Sequence, residues 1–185
     1  VTLYFVLILL TVPSIIALFE PVTSFFVWDK TAIEAGQWWR ILTGNFAHTN
    51  IEHCVMNLAA MWLIALIFKP SGITFFFITL LINIGVGLTL LTTSIYQYVG
   101  LSGTLHGVFA YLTLTECMNK RHTSWLLIIG LLLKITWEQI EGSLPYSQSL
   151  IHAPVAIQAH LAGMVLGLLL AIIMRFSTKT TLSQA

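Results

Sequence analysis

The sequence predicts an all-α, polytopic membrane protein, and three observations carry that expectation. First, 57% of the 185 residues are hydrophobic and 8% are charged, where a soluble domain carries about 25% charge. Second, the apolar runs approach the roughly 20 residues that a helix needs to cross a hydrocarbon core of about 30 Å. Third, polar and turn-forming residues gather between those runs, which suits one helical bundle with residues 1–185 as a single domain. A net charge of +1 leaves no basic field for nucleic acid. Cys54 and Cys117 fall toward opposite faces of such a bundle, too far apart to bridge. No Cys/His spacing suits a metal, and no cofactor is expected.

Six spans follow in order. Residues 1–19 form the first, with Pro13 tolerated as a kink; no basic residue precedes it and no A-x-A site follows, so it reads as a retained helix. Residues 22–45 mix Phe25, Phe26, Trp28, Trp38 and Trp39 with Asp29, Lys30, Glu34 and Arg40. That mixture belongs at headgroup level and predicts a long interfacial first outer loop with a short helix around residues 31–37. Trp28, Trp38, Trp39, Trp125 and Trp137 read as interface anchors. The second span covers residues 50–68 and ends at Lys69-Pro70; the third covers 73–91, with Gly85 and Gly87 offering close packing. The fourth covers 102–118, the fifth 125–140 and the sixth 155–174, and residues 141–154 form a polar loop. Lys69, Lys120, Arg121, Arg175 and Lys179 all fall on the side reached after an even number of spans. By the positive-inside rule that side is cytoplasmic and holds both termini.

The chemistry centres on Gly100-Leu101-Ser102-Gly103-Thr104-Leu105-His106-Gly107. Ser102 stands at or near a helix N-cap, where free backbone N–H groups and the positive dipole end also suit an oxyanion. A cap and a small-residue packing seam is the plain alternative. At about 1.5 Å per residue the fourth segment reaches only about 25 Å, so with its inner end pinned by Lys120 and Arg121 the serine lies below the outer surface. Irregular backbone at that depth is tolerated only in protein or beside a wet cavity.

A serine hydroxyl needs a base, and His48, His53, His106 and His160 all fall at outer ends of spans. Gly163-x-x-x-Gly167 after His160 and Gly103-x-x-x-Gly107 after Ser102 are matching small-residue seams, which would bring Ser102 and His160 to one depth. His106, at i+4 from Ser102, is the rival base. His53 and Asn57, also i and i+4, present an imidazole and an amide to one spot. They suit an oxyanion together with the backbone N–H groups of Ser102 and Leu101, although interhelical glue worth about 1 kcal/mol is the alternative for each. Glu52 faces elsewhere, and Cys54 lacks the surroundings of a nucleophile.

Gly100-Leu-Ser102-Gly103, His53-x-x-x-Asn57, His160-x-x-Gly163-x-x-x-Gly167 and Trp39-Arg40, in this order over nearly the whole chain, resemble the rhomboid intramembrane serine proteases. The resemblance implies a six-helix rhomboid-like bundle and a Ser102–His160 dyad without a triad carboxylate. It further implies an oxyanion hole from His53, Asn57 and the Ser102 backbone, structural roles for Trp39 and Arg40, and substrate entry gated by the fifth span and the following loop. Many bacterial rhomboids carry tyrosine four residues after the serine, stacked on the histidine, where this chain has His106. The run around Ser102, with Gln158-Ala159-His160-Leu161, is similar to the rhombosortase branch, whose substrates are exported proteins with C-terminal Gly-Gly-type sorting tails. Lys134 and Glu138, i and i+4, are expected to pair within the fifth span, with Glu138 placed to tune the gate.

The expected function is therefore an intramembrane serine endopeptidase of a bacterial inner membrane, its site opening to the periplasm. Its substrate is a membrane-anchored protein with a C-terminal transmembrane tail, and its partners are the bilayer and, as a hypothesis, a lipid head-group amine that accepts the acyl group. A general rhomboid protease of other membrane substrates is one alternative. A histidine-rich metal-binding membrane protein using His48, His53, His106 and His160 is another.

Overall fold

The computed structural model describes the backbone of residues 1–183 and the side chains of residues 1–176; Lys179, which enters the charge argument, lies beyond the described side chains. Helix α1 (Leu3–Ile16) starts on Thr2, whose hydroxyl accepts the Phe5 N–H, and carries Pro13 within it. Then come α2 (Val22–Phe26), the short strand β1 (Trp28–Asp29), α3 (Lys30–Glu34) and α4 (Arg40–Thr43). Helices α5 (Ile51–Phe68) and α6 (Gly72–Leu90) follow, then β2 (Gln97–Tyr98), α7 (Ser102–Met118), α8 (Ser124–Glu141), α9 (Pro145–Ile151) and α10 (Ile157–Ser183). The long helices lie within a few residues of the expected spans, except that α10 continues to Ser183, past the expected end at residue 174. By length and composition, three helical stretches among the described residues can cross a membrane: Ile51–Phe68, Gly72–Leu90 and Ile157–Phe176. Helix α1 is shorter, and α8 carries Lys134, Glu138 and Glu141.

Local chemistry explains the boundaries. Asn50 caps α5 by accepting the His53 N–H at 2.8 Å, and the helix stops at Lys69 in the left-handed region, before Pro70. Ser71 caps α6 in the same way through Thr74. Helices α7 and α10 pack backbone to backbone. A Cβ on Gly163 would collide with the Gly103 carbonyl, one on Gly167 with the Gly107 carbonyl, and one on Gly107 would lie 2.5 Å from the Gly163 carbonyl oxygen. The two expected seams therefore face each other. Gly87 admits the Ile41 carbonyl of α4, and Gly85 faces Leu166 of α10.

Three expectations are corrected. The connection before α5 holds three short helices and a strand, with its middle helix at Lys30–Glu34 in place of 31–37. The loop 141–154 contains α9, started by Pro145 in the first turn. Trp28 is no interface anchor: it is fully buried and its indole N–H donates to the Gly87 carbonyl at 3.0 Å. That carbonyl belongs to the last turn of α6, which has no intrahelical donor left for it. Trp38, Trp125 and Trp137 remain exposed.

Most buried apolar side chains form one core among α1, the first connection, α5, α6, α7 and α10. A small separate cluster, Ala110, Leu131, Ile135 and Met164, lies under α8.

Candidate active site

The turn that delivers Ser102 is held from three sides. Gly100 adopts φ +118°, open to glycine but strained for other residues, and His53 Nε2 would sit 2.7 Å from a Cβ there. Its N–H donates to the Gly44 carbonyl at 3.3 Å. Tyr98 is buried, and its hydroxyl donates to the Gly100 carbonyl. Strand β2 pairs antiparallel with β1, Trp28 opposite Tyr98 and Asp29 opposite Gln97, so the first outer loop braces the serine turn. Beneath it, Thr104 donates to Asn45 Oδ1 at 2.9 Å and Asn45 Nδ2 donates to Asn83 Oδ1 at 3.0 Å.

Trp39 and Arg40 organise that outer loop. Arg40 donates through Nη1 to the Ser24 and Val27 carbonyls at 2.9 and 2.6 Å and through Nε to Gln37 Oε1 at 2.7 Å. The Trp39 indole donates to the Phe25 carbonyl and its ring stacks on Phe25 at 5.0 Å.

Ser102 is the first residue of α7, and Leu101 holds the cap position. Ser102 is therefore next to the N-cap, within the expected position, and its Oγ lies 2.8 Å from His160 Nε2 on α10 and makes no cap bond. The rival imidazole is otherwise engaged. His106 Nδ1 is 2.7 Å from the Ser102 carbonyl oxygen, which can only accept, so Nδ1 carries the proton. Its Nε2 then accepts from Lys134 Nζ at 2.6 Å. The His106 ring stacks on His160 with centroids 4.2 Å apart and planes 23° apart.

Ser102, His160, His53, Asn57 and Glu138 line one cavity of about 1100 Å³, with α8 and the segment leading into α10 also contributing to its wall. His48 also lines it and meets His53 edge-on at 5.0 Å. Asn57 Nδ2 is buried and, among the described residues, has no hydrogen-bond partner. It would lie 3.7 Å from a Cβ on Gly100. Thr49 donates its single hydroxyl proton to the Ile151 carbonyl at 2.6 Å, so it accepts from His53 Nδ1 at 3.1 Å. In this arrangement a neutral His53 turns a lone pair, not a proton, toward Gly100.

Lys134 and Glu138 pair as expected, Nζ to Oε1 at 2.9 Å. The other carboxylate oxygen, Oε2, lies 2.9 Å from His160 Nδ1. No group of three His, Cys, Asp or Glu side chains suited to a metal occurs among the described residues, and the Lys134 ammonium bridges the edges of the stacked pair, 2.6 Å from His106 Nε2 and 3.3 Å from His160 Nδ1.

Sequence reasoning missed Tyr98, Thr49 and the Asn45–Asn83–Thr104 chain. The asparagines had a legible signal, since polar side chains at membrane depth turn inward to partners; Tyr98 had none beyond lying near Ser102.

A comparison with curated proteins finds no match. A protein-family model described as a rhomboid domain matches residues 35–176, from just after α3 into α10 and across both residues of the cavity's serine–histidine contact. That match spans most of the 185 residues, and it identifies an integral membrane protein that belongs to the rhomboid family of intramembrane proteases.

Proposed function

We propose that the chain is a serine endopeptidase in which Ser102 is the nucleophile and His160 the general base. The observation that carries this reading is the 2.8 Å contact from Ser102 Oγ to His160 Nε2 inside a cavity lined by an uncommitted amide donor, Asn57. Ser102 gives its proton to His160 as Oγ attacks a peptide carbonyl; His160 returns the proton to the leaving amine, and water then releases the acyl group. The developing oxyanion rests on Asn57 Nδ2 and the Ser102 N–H, which as the first of α7 has no acceptor within the helix. Leu101, at the cap, offers a second backbone N–H. His53 joins them once the Ile151 segment moves away, because the freed Thr49 hydroxyl can then donate to Nδ1 and leave the proton on Nε2.

On this reading residues 1–185 form one protease domain of six spans: α1, α5, α6, α7, α8 and α10. Lys69, Lys120, Arg121 and Arg175 mark the cytoplasmic side of a bacterial inner membrane, and the cavity opens to the periplasm. His106 in the place of the stacking tyrosine supports the rhombosortase branch. The substrate is then an exported protein with a C-terminal Gly-Gly-type tail, and a lipid amine is the candidate acyl acceptor in place of water.

Fluorophosphonate labelling tests the chemistry. The parent should label, Ser102→Ala and His160→Ala should not, and Asn57→Ala should label more slowly than His53→Ala by about tenfold or more. Labelling that persists in Ser102→Ala sinks the protease reading. Mass spectrometry of a Gly-Gly tail peptide after incubation in lipid tests the branch; a free new carboxyl end excludes the transfer step, and an intact peptide excludes the tail as substrate.

A further inference from the structure

We infer that Glu138 is a positioning residue for His160, so that α8 supplies the third member of a Ser102–His160–Glu138 triad where the dyad of the family resemblance has none. The inference rests on the protease reading and deepens it. It starts from proton bookkeeping at one ring. His160 Nε2 faces a serine hydroxyl at 2.8 Å, and Nδ1 faces a carboxylate oxygen at 2.9 Å and the Lys134 ammonium at 3.3 Å. If Nδ1 were bare, it would set a lone pair against Glu138 Oε2 between two largely buried side chains, where the repulsion is weakly screened. With the proton on Nδ1, that atom donates to Glu138 and Nε2 keeps the lone pair that the Ser102 proton needs.

The carboxylate is itself held in place. Lys134 binds the other oxygen, Oε1, at 2.9 Å, which fixes Oε2 toward His160. The same ammonium reaches His106 Nε2 at 2.6 Å, and His106 lies flat on His160. The groups around the imidazole are thus Ser102 and His106 of α7, Lys134 and Glu138 of α8, and His53 across the cavity. Glu138 is buried although it belongs to a helix whose outer face is apolar and exposed; a carboxylate that served only the i,i+4 pair with Lys134 could stay at the surface. When Ser102 gives up its proton, the charge that appears on His160 lies against the carboxylate, which remains ionised throughout.

The test uses the full chain in lipid nanodiscs with a fluorophosphonate as probe, separating the maximal labelling rate from the half-saturating concentration. Glu138→Gln is nearly isosteric, but its amide N–H can point at Nδ1 and favour the proton on Nε2, where it blocks the base. The maximal rate should fall about 10²- to 10⁴-fold with the half-saturating concentration unchanged, and Glu138→Asp should recover part of the loss. Proton NMR of histidine-labelled protein should show a strongly downfield Nδ1–H resonance that disappears in both Glu138→Gln and His160→Ala. A Glu138→Gln rate within threefold of the parent, a change in half-saturation alone, or a resonance indifferent to Glu138 overturns the inference. A parent that does not label at Ser102 overturns the protease reading instead, and the resonance then decides by itself whether Glu138 holds the ring.

Discussion

The two helices that complete the site around α7 are attached to it in opposite ways. Helix α10 meets α7 through glycine backbone, with Gly163 and Gly167 against the carbonyls of Gly103 and Gly107. Helix α8 meets the same helix through a small apolar cluster of Leu131 and Ile135 with Ala110, completed by Met164 of α10, and through the contact of Lys134 with His106, while Glu138 reaches past α7 to His160 of α10. In lipid there is little hydrophobic drive between helices, so close backbone packing holds a pair together better than apolar side chains do. The proposed nucleophile and its base therefore sit on the closely packed pair, and the carboxylate arrives on a helix held mainly by side chains. On the proposed reading, with the fifth span as gate, outward movement of α8 would leave the Ser102–His160 contact in place and withdraw Glu138 from the ring.

The largest effect should come from the seam. Gly163→Ala places a methyl group against the Gly103 carbonyl with no side chain free to yield, since both partners are backbone. We expect a loss of more than about 3 kcal/mol of stability, together with loss of fluorophosphonate labelling, measured by thermal unfolding in detergent. A loss below about 1 kcal/mol would mean that the helices slide apart cheaply and that the stiff half of the comparison is wrong.

Helix α8 should respond differently. Leu131 is buried in the small cluster, yet lipid chains can occupy space that Leu131→Ala vacates, so the transfer part of the usual core penalty largely disappears. The expected global loss is about 1 kcal/mol. Hydrogen exchange should report faster opening of α8 amides while α7 and α10 keep their protection. Equal acceleration in all three helices would show that α8 unfolds only with the rest.

How much of this was legible beforehand follows the same division. The seam is written in the chain, because two glycine pairs at spacing four on neighbouring spans admit few other uses; with it came Ser102 and His160. The pair Lys134–Glu138 was also legible as i and i+4, but its second set of contacts was not, because nothing in the spacing of α8 says which neighbour its polar face meets. Trp28 was misread for a related reason. Its flanking residues have the composition of a membrane interface, while its position is decided by the Gly87 carbonyl of a helix far away in sequence. Helix α9 was hidden because Pro145 reads equally as a loop residue and as the first turn of a helix. Tyr98 owes its role to the turn it clamps.

The smallest effect concerns the strap that ties the outer loop to the serine turn. Asp29 accepts the Ala32 N–H through Oδ1 and Gln97 Nε2 through Oδ2, both at 2.9 Å. The Gln97 bond, followed by the Ala32 bond, holds its carboxyl below the ordinary value of 3.8. A group whose pKa is depressed by folding stabilises the fold fully above its unfolded value and loses that contribution as pH falls through the lower, folded one. The bonds are near the surface, so the contribution is under about 1 kcal/mol. Asp29→Asn keeps an acceptor for the Ala32 N–H but removes the charge. Unfolding measured from pH 6 down to about pH 2 should therefore show a constant small gap between parent and variant above the ordinary carboxylate value, closing below it. A gap that stays constant to the lowest pH would assign the strap to neutral hydrogen bonding. It would leave the β1–β2 pairing, and not the Asp29 charge, as what joins the outer loop to Ser102.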